Sequence, residues 1–350
     1  MGEITVIGID LAKNTFSLCG MSKNGKVQWN KTFSAKKLVE FTAKHHPTLI
    51  AFEACGSCHH WARVFQRQGH KIKVMAVQRV KAFVSPHKKN DRADAEAIGR
   101  AALCESIPSV AVKGVEQQDI EILINYREKL IAERVALINQ VHAMALEYGV
   151  RLKKSQSVGQ IEDILLNLED AENELTAVAR DLIATTLSLV RTINKEIDGI
   201  DKKVAALLKP NQAYKNLLTV PGIGAMTAAA IIAHTGGQVN RFRNGRDFAA
   251  YLGLTPKQYS TGGKTRLGRI TKAGHKTIRK FLFMGAFATL RVSQKRNDLL
   301  STWLTRKKEA KGYRYASVAL AHKNARIVFA ILKTGEPYRY IENETDIVAA

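Results

Sequence analysis

ITVIGIDLAKNTFSLCGM, residues 4–21, is the stretch on which the fold turns. Ile4 to Asp10 is an apolar run that stops on an acid, the pattern of a buried strand with a carboxylate at its end. Phe16 to Met21 and Val27 to Phe33 read as two more strands, with turns at Lys13-Asn14 and Asn24-Gly25. Asn-Gly is a strong hairpin signal, because both residues tolerate φ > 0. Working outward, a helix is expected from Ala35 to His45 and a strand from Leu49 to Phe52. Trp61 to Gln68 reads as helix and Lys71 to Ala76 as strand. Asp91 to Cys104 has helical spacing, with Ala95, Ile98 and Ala102 on one side.

Three hairpin-connected strands followed by alternating helices and strands match a ribonuclease-H-like α/β layout over residues 1–112. The middle, 113–210, has a different period. Leu123, Leu130, Leu137 and Met144 recur every seven residues, with Ile124, Ile131 and Ile138 beside them. Leu168, Leu175, Leu182 and Leu189 repeat that period, continued by Ile193, Ile197, Ile200 and Val204. Two such helices, separated near Gly149 to Gly159, read as a long antiparallel hairpin or coiled coil. It would serve as an oligomerisation arm or as the ordinary core of a helical domain. Pro210 closes this region. A second globular domain is expected over 211–335, mostly helical, with a short tail over 336–350 that frays from Tyr340.

The chain has 350 residues, 45% of them hydrophobic, enough for two packed domains and a linker. Its formal net charge is +23, with pI near 9.9. The excess is segregated: Lys257 to Arg339 holds twenty Lys and Arg against three acids, whereas Glu162 to Asp201 is acid-rich. A polyanion partner explains such a domain better than an inert basic surface. The four cysteines, Cys19, Cys55, Cys58 and Cys104, form no disulfide framework. Neither a basic leader nor a long apolar run follows Met1, so no membrane span is expected and the cytoplasm is the expected compartment.

Two acids end strands: Asp10 in Gly8-Ile9-Asp10 and Glu53 in Ala51-Phe52-Glu53. Asp91 and Asp94 stand three apart on a helix, hence on one face, with Cβ atoms roughly 5–6 Å apart. Four carboxylates meeting at one sheet edge repel unless a cation neutralises them, and oxygen-only coordination suits Mg²⁺ or Mn²⁺. Two such ions about 4 Å apart stabilise both the attacking and the leaving oxygen of a phosphodiester. Taken singly, each acid has a plainer reading: a strand-end Asp as a turn cap, and Asp91 as the N-cap of its helix. Glu96 lies near Asp94 but faces another way.

In the basic part, Val220-Pro221-Gly222-Ile223-Gly224 precedes the alanine-rich Met226 to Ala233. It reads either as a helix-hairpin-helix, with Gly222 and Gly224 letting backbone N–H groups reach a phosphate, or as a plain glycine turn. Further on, Lys257, Lys264, Arg266, Arg269, Lys272 and Arg279 surround Ser260 in a glycine-flanked loop. Ser260 there is either a nucleophile or, with Thr261, only a hydrogen-bond donor to phosphates. Two look-alikes fall away. Gly263-Lys264-Thr265 lacks the glycine a P-loop needs at 258, where Gln258 stands. Cys55-Gly56-Ser57-Cys58-His59 matches a haem-attachment pattern without an export signal, and zinc on Cys55, Cys58, His59 and His60 would crowd one helical turn.

With these residues on the page, the chain resembles the DEDD transposases of the insertion-sequence 110 family, particularly its 1111 subgroup, and the related Piv-type DNA invertases. The resemblance is carried by GIDLAK (8–13), FEACGSCHHWAR (52–63), KNDRADAEAIGRAA (89–102), VPGIG (220–224) and YLGLTPKQYSTGGKTRLGRITKAG (251–274). It spans nearly the whole chain. It implies a RuvC-like N-terminal domain, a coiled coil and a C-terminal transposase domain. It implies Asp10, Glu53, Asp91 and Asp94 as a metal-binding tetrad for Mg²⁺ or Mn²⁺, and Ser260 as nucleophile. It further implies double-stranded donor and target DNA, a structured bridge RNA, and a homo-oligomer, dimer or tetramer. The chain departs from the family at Thr261, where many relatives carry a second serine, and at Cys58, where a small residue is expected.

The function expected is therefore cleavage, exchange and rejoining of an insertion element's strands. A RuvC-like junction nuclease would use water and no serine. An actin-like ATPase would need further glycine-rich phosphate loops, which the sequence lacks. A non-catalytic DNA-binding protein would leave the four acids unexplained.

Overall fold

The computed structural model describes residues 3–84, 90–152, 164, 166, 169–170, 172–296 and 298–340. They form two compact units, Met1–Gly114 and Val115–Ala350. The first unit is mixed α/β and the second mostly helical.

In the first unit, β1 (Val6–Asp10), β2 (Thr15–Met21) and β3 (Val27–Ser34) form an antiparallel meander. Helix α1 (Ala35–Ala43) follows, and β4 (Leu49–Glu53) then pairs parallel to β1. After α2 (Cys58–Arg67), β5 (Lys71–Met75) adds parallel to β4, giving the order β3-β2-β1-β4-β5. A short α3 (Val77–Val80) leads towards α4 (Asp91–Leu103). Each element lies within a few residues of its sequence expectation; the largest shift is α2, which begins at Cys58 instead of Trp61.

The period of two decides the layers. Val6, Cys19, Met21, Ala51 and Met75 face α4, against Ala95, Ile98, Ala101 and Ala102. Ile7, Ile9, Phe16, Leu18, Ile50 and Phe52 face the other way, onto Leu38, Trp61 and Phe65. Gly8 belongs to the α4 face, and its missing side chain fixes the spacing. A Cβ there would lie 2.3 Å from the Ala95 carbonyl oxygen and 2.5 Å from the Gly99 nitrogen.

The second unit opens with α5 (Val115–Glu147) packed antiparallel on α6 (Ala177–Leu208). Two polar pairs cross their seam: Arg127 with Asp201, and Arg134 with Asn194 at 2.9 Å. On α5 Ile124, Leu130 and Ile138 are buried, while Leu123, Ile131, Leu137 and Met144 are half-buried. On α6 the period holds but the register is corrected by one residue. Ala179, Ile183, Val190, Ile197 and Val204 are buried, while Leu182 and Leu189 are 50% and 53% exposed. The reason is the adjacency of two apolar stripes, 182/189 and 183/190, which periodicity alone cannot rank. Leu175 is buried but precedes the helix, and Leu168 lies outside the described residues, as do the expected tail beyond Tyr340 and most of the link between the two helices.

Next come α7 (Gln212–Leu218), α8 (Ala225–Thr235) and α9 (Gly245–Tyr251), each with an Asn or Gly at its N-cap. A small two-stranded sheet follows, β6 (Pro256–Gln258) with β7 (Leu267–Ile270). Helix α10 (Lys276–Val292) and α11 (Leu299–Thr334) complete the unit. Gly312, at φ 80° and ψ 170°, breaks α11 into two arms. The arms fold back on each other, since Lys323 Nζ of the second lies 4.5 Å from the Trp303 ring of the first. One core joins Ile120 and Leu130 of α5 to Ile231, Phe248, Leu282 and Phe329. Among the described residues no helix is long and apolar enough to cross a membrane.

Candidate functional site: a carboxylate edge and a serine hairpin

Side chains two apart on a strand share a face, so Asp10 lies on the α4 side of the sheet with Gly8. Gly8 pairs with Ala51 in the parallel β1–β4 ladder, and Ala51 packs on the α4 side. Glu53, two residues on, therefore ends the neighbouring strand on that same face. Gly8 meets Ala95 and Gly99 of α4, which places the first turn of α4, with Asp91 and Asp94, towards the strand ends. Asp91 is not the helix cap: Asn90 is, accepting from the Ala93 N–H at 2.9 Å. Glu96 is turned to an ion pair with Arg100.

The electrostatics follow this placement. Burial first, then the charges of Asp94 and Asp91, raise the pKa of Asp10. Burial first, then Asp10 and Asp94, raise Glu53, with Lys81 acting in the opposite direction. These carboxyl groups thus sit in one another's field; among the described residues the cation acting on Glu53 is Lys81. Among the described residues, however, no group of three or more His, Cys, Asp or Glu side chains is gathered closely enough to hold a metal ion. Cys55 borders the same acids. Burial, Cys58, Asp10 and Glu53 push its thiol up to about 11, so it stays protonated at neutral pH. Cys58 is buried in the core, and His59 Nδ1 accepts the Lys113 N–H at 3.2 Å.

A second group of sequence-predicted residues lies in the helical unit. Ser260 sits between β6 and β7, where Tyr259 N–H donates to the Arg266 carbonyl at 2.8 Å and Thr261 bridges Lys264. The Ser260 Oγ accepts from Gln258 Nε2 at 2.9 Å and from the Arg266 N–H at 3.3 Å. Two donors on one hydroxyl oxygen fix its position and leave its own proton to point elsewhere. Neither Gln258 nor the Arg266 backbone was singled out from the sequence for this role. The available signal was alternation, since residue 258 shares a strand face with 260.

Lys257, Lys264, Arg266 and Arg269 are all exposed around this hairpin. Lys272 is also exposed, with φ 55°, and the Arg279 guanidinium is turned inward, donating to the Leu252 carbonyl at 3.0 Å. The hairpin's base is pinched: a Cβ on Gly253 would lie 2.4 Å from the Ala273 oxygen, and one on Gly274 would lie 2.1 Å from the Tyr251 oxygen. His275, the nearest histidine in sequence, caps α10 by accepting the Ile278 N–H on Nδ1. That lone pair is therefore not available as a base for Ser260.

The two glycines of the 220–224 turn differ in surroundings. Gly222 has φ 85° and packs on α10; a Cβ there would lie 2.8 Å from the Gly285 oxygen. Asn324 Nδ2 holds the adjoining Pro221 carbonyl at 2.9 Å. Gly224 caps α8 and has nothing within 4 Å of a built Cβ.

Comparison with known proteins bears on both parts. Residues 7–149 match a DEDD transposase profile of IS110 elements, described as "Transposase". Residues 214–300 match the profile "Transposase IS116/IS110/IS902 family". The chain is similar to a putative transposase, y4pF/y4sB, of Sinorhizobium fredii: 37% identity, covering 98% of this chain and 87% of the other. It is 34% identical to the transposase for insertion sequence element IS1111A of Coxiella burnetii, over 97% and 92% of the two chains. A pilin gene-inverting protein of Moraxella lacunata is 24% identical over 95% and 97%.

Proposed function

From the premise that the chain belongs to the IS116/IS110/IS902 transposase family, we propose that it cuts and rejoins DNA strands through a composite site. Asp10, Glu53, Asp91 and Asp94 form one part and Ser260 the other. The observation that carries the proposal is the placement of Asp10 and Glu53 at neighbouring strand ends on the α4 face, beside the first turn of α4 that bears Asp91 and Asp94. Natural folds seldom hold like charges together without use for a counter-charge.

The first unit is read as RuvC-like, on the order of its strands and the position of its acids. Its donors are carboxylate oxygens alone, a set that fits Mg²⁺ or Mn²⁺ and not a thiol-seeking ion. Such a cation, when bound, supplies charge stabilisation to the attacking and leaving oxygens of a phosphodiester. Holding it requires the carboxyl groups to rotate towards one another, which the cation's own attraction offsets.

Ser260 is the nucleophile in this reading. Its Oγ forms a bond to phosphorus as one strand P–O bond breaks; the serine proton leaves to a base and the departing oxygen takes one up. The phosphodiester energy is kept in the serine–DNA bond, and attack by another strand end reverses the step. Gln258 and the Arg266 N–H aim the Oγ, while Lys257, Lys264, Arg266 and Arg269 hold the phosphates. A bridge RNA that selects donor and target DNA, and assembly as a dimer or tetramer, complete the proposal. Gly222 and Gly224 would contact the DNA backbone; the open position of Gly224 at a helix N-terminus suits that role better than Gly222.

The test is covalent chemistry. Protein, guide RNA and DNA are incubated with Mg²⁺, and a protease-sensitive protein–DNA adduct is sought. Ser260→Ala and Asp10→Asn should each abolish it. An adduct surviving Ser260→Ala but not Thr261→Ala moves the nucleophile by one residue. Cleavage that persists with both hydroxyls removed makes water the nucleophile and favours a junction nuclease.

A further inference from the structure

Within the helical unit, positive charge converges once more, on residues outside the serine hairpin. Arg246 stands in the first turn of α9, and His322, Lys323 and Arg326 lie on the second arm of α11. Gly245 permits the approach: a Cβ there would lie 3.3 Å from the Arg326 Cα. The break at Gly312 returns the first arm to the same place. Trp303 supports Lys323 Nζ at 4.5 Å, with Lys307 Nζ at 6.0 Å from the same ring.

Among the described residues no acid forms an ion pair with Arg246, His322, Lys323 or Arg326. Asp247 is paired with Arg243 at 2.9 Å. From Tyr313 to Thr334 the sequence has no Asp or Glu. Burial, Arg326 and Arg246 hold His322 below the usual histidine range, and burial and Arg326 lower Lys323. Arg246 and Arg326 are exposed, while His322 and Lys323 are half-buried. Cations that repel one another are stabilised by an external polyanion, and a planar guanidinium suits phosphate oxygens in pairs.

We propose that Arg246, Lys323 and Arg326, with His322 between them, form a clamp for the sugar–phosphate backbone of duplex DNA, separate from the serine hairpin. The surface offers charge and little that reads base edges, so it would grip without sequence preference. The proposal rests on the family's action on DNA, not on Ser260 or the carboxylates.

The test measures binding of the full chain to a duplex of arbitrary sequence, with chelator present to prevent cutting. Each phosphate neutralised contributes about −0.9 to the log–log salt slope. The triple variant Arg246→Gln/Lys323→Gln/Arg326→Gln should flatten that slope by about 2.7. The parent's advantage over it should then shrink roughly 40-fold between about 50 and 200 mM salt. Arg246→Lys/Arg326→Lys, which keeps the charge, should hold the parent's slope. Should the triple variant fail to fold, Arg246→Gln and Arg326→Gln singly should each remove about 0.9. An unchanged slope, or a loss confined to RNA binding, overturns the clamp. Ser260→Ala keeps every one of these cations, so a failed nucleophile and a failed clamp appear in different proteins.

Discussion

Replacing Gly285 with alanine tests whether the 220–224 turn is built by packing against α10. A Cβ on Gly285 would lie 1.8 Å from the Gly222 oxygen and 2.8 Å from the Gly222 carbon. Ordinary contact is above about 3.4 Å, so turn and helix must part by more than an ångström, and both obstacles are backbone. Overpacking of this kind costs about 1–3 kcal/mol, and the upper half applies because no side chain can rotate away. Alanine's better helix propensity returns about 0.5–1 kcal/mol. The net loss of about 1–2 kcal/mol should lower the melting temperature by roughly 3–8 °C for a unit of this size. Gly224→Ala is the control. Its φ of −88° and ψ of 176° suit any residue, and its surroundings are open. It should cost under about 1 kcal/mol, the difference between two N-caps. Thermal denaturation followed by circular dichroism reads both. A Gly285→Ala protein that melts within about 1 °C of the parent would refute the packing account. Binding separates the roles further: if Gly224 meets phosphate, Gly224→Ala weakens DNA binding while melting almost normally.

Asp10 and Glu53 have folded pKa values raised above their unfolded ones, so the folded chain binds their protons more tightly. Their contribution is fully present below the unfolded carboxylate range and is lost as pH rises through their raised folded values; in chelator, Asp10→Asn should flatten that part of the stability–pH curve and raise stability at pH 7, read by denaturant titration at several pH values. On α6, Ile183→Ala should cost about 2–5 kcal/mol, whereas Leu182→Lys should change stability by less than about 0.5 kcal/mol. Denaturant titration checks the pair, and equal losses would mean that the Leu182 face is covered in solution.

The first unit was legible because its period of two is carried by large residues, and because Asp10 and Glu53 stand where apolar runs stop. Asp91 and Asp94 were legible as a helical pair, but what brings their helix onto β1 was not. That depends on Gly8 meeting Ala95 and Gly99, a contact across nearly ninety residues. The α6 register was ambiguous for a local reason, two apolar stripes side by side. Gly222 and Gly224 look alike in sequence, and the contacts of Gly222 with Gly285 and Thr289, far along the chain, distinguish them. The break at Gly312 left no mark either, since Lys-Gly-Tyr is ordinary in an exposed helix. Ser260 was visible as a hydroxyl among cations, but not the two donors that hold it.

The two polar pairs between α5 and α6 act together as an alignment code. Both obey one antiparallel register, Arg127 opposite Asp201 and Arg134 opposite Asn194. Slide α6 by one heptad in one direction and Arg127 finds Asn194, but Arg134 faces Leu187. Slide it the other way and Arg134 finds Asp201, but Arg127 faces Leu208. Either pair alone would tolerate one of these errors. Together they reject both, because each misalignment strands a guanidinium against a leucine that is buried in the correct one. A repeating apolar stripe has no means of counting its own repeats; two charged teeth at unequal sockets provide it.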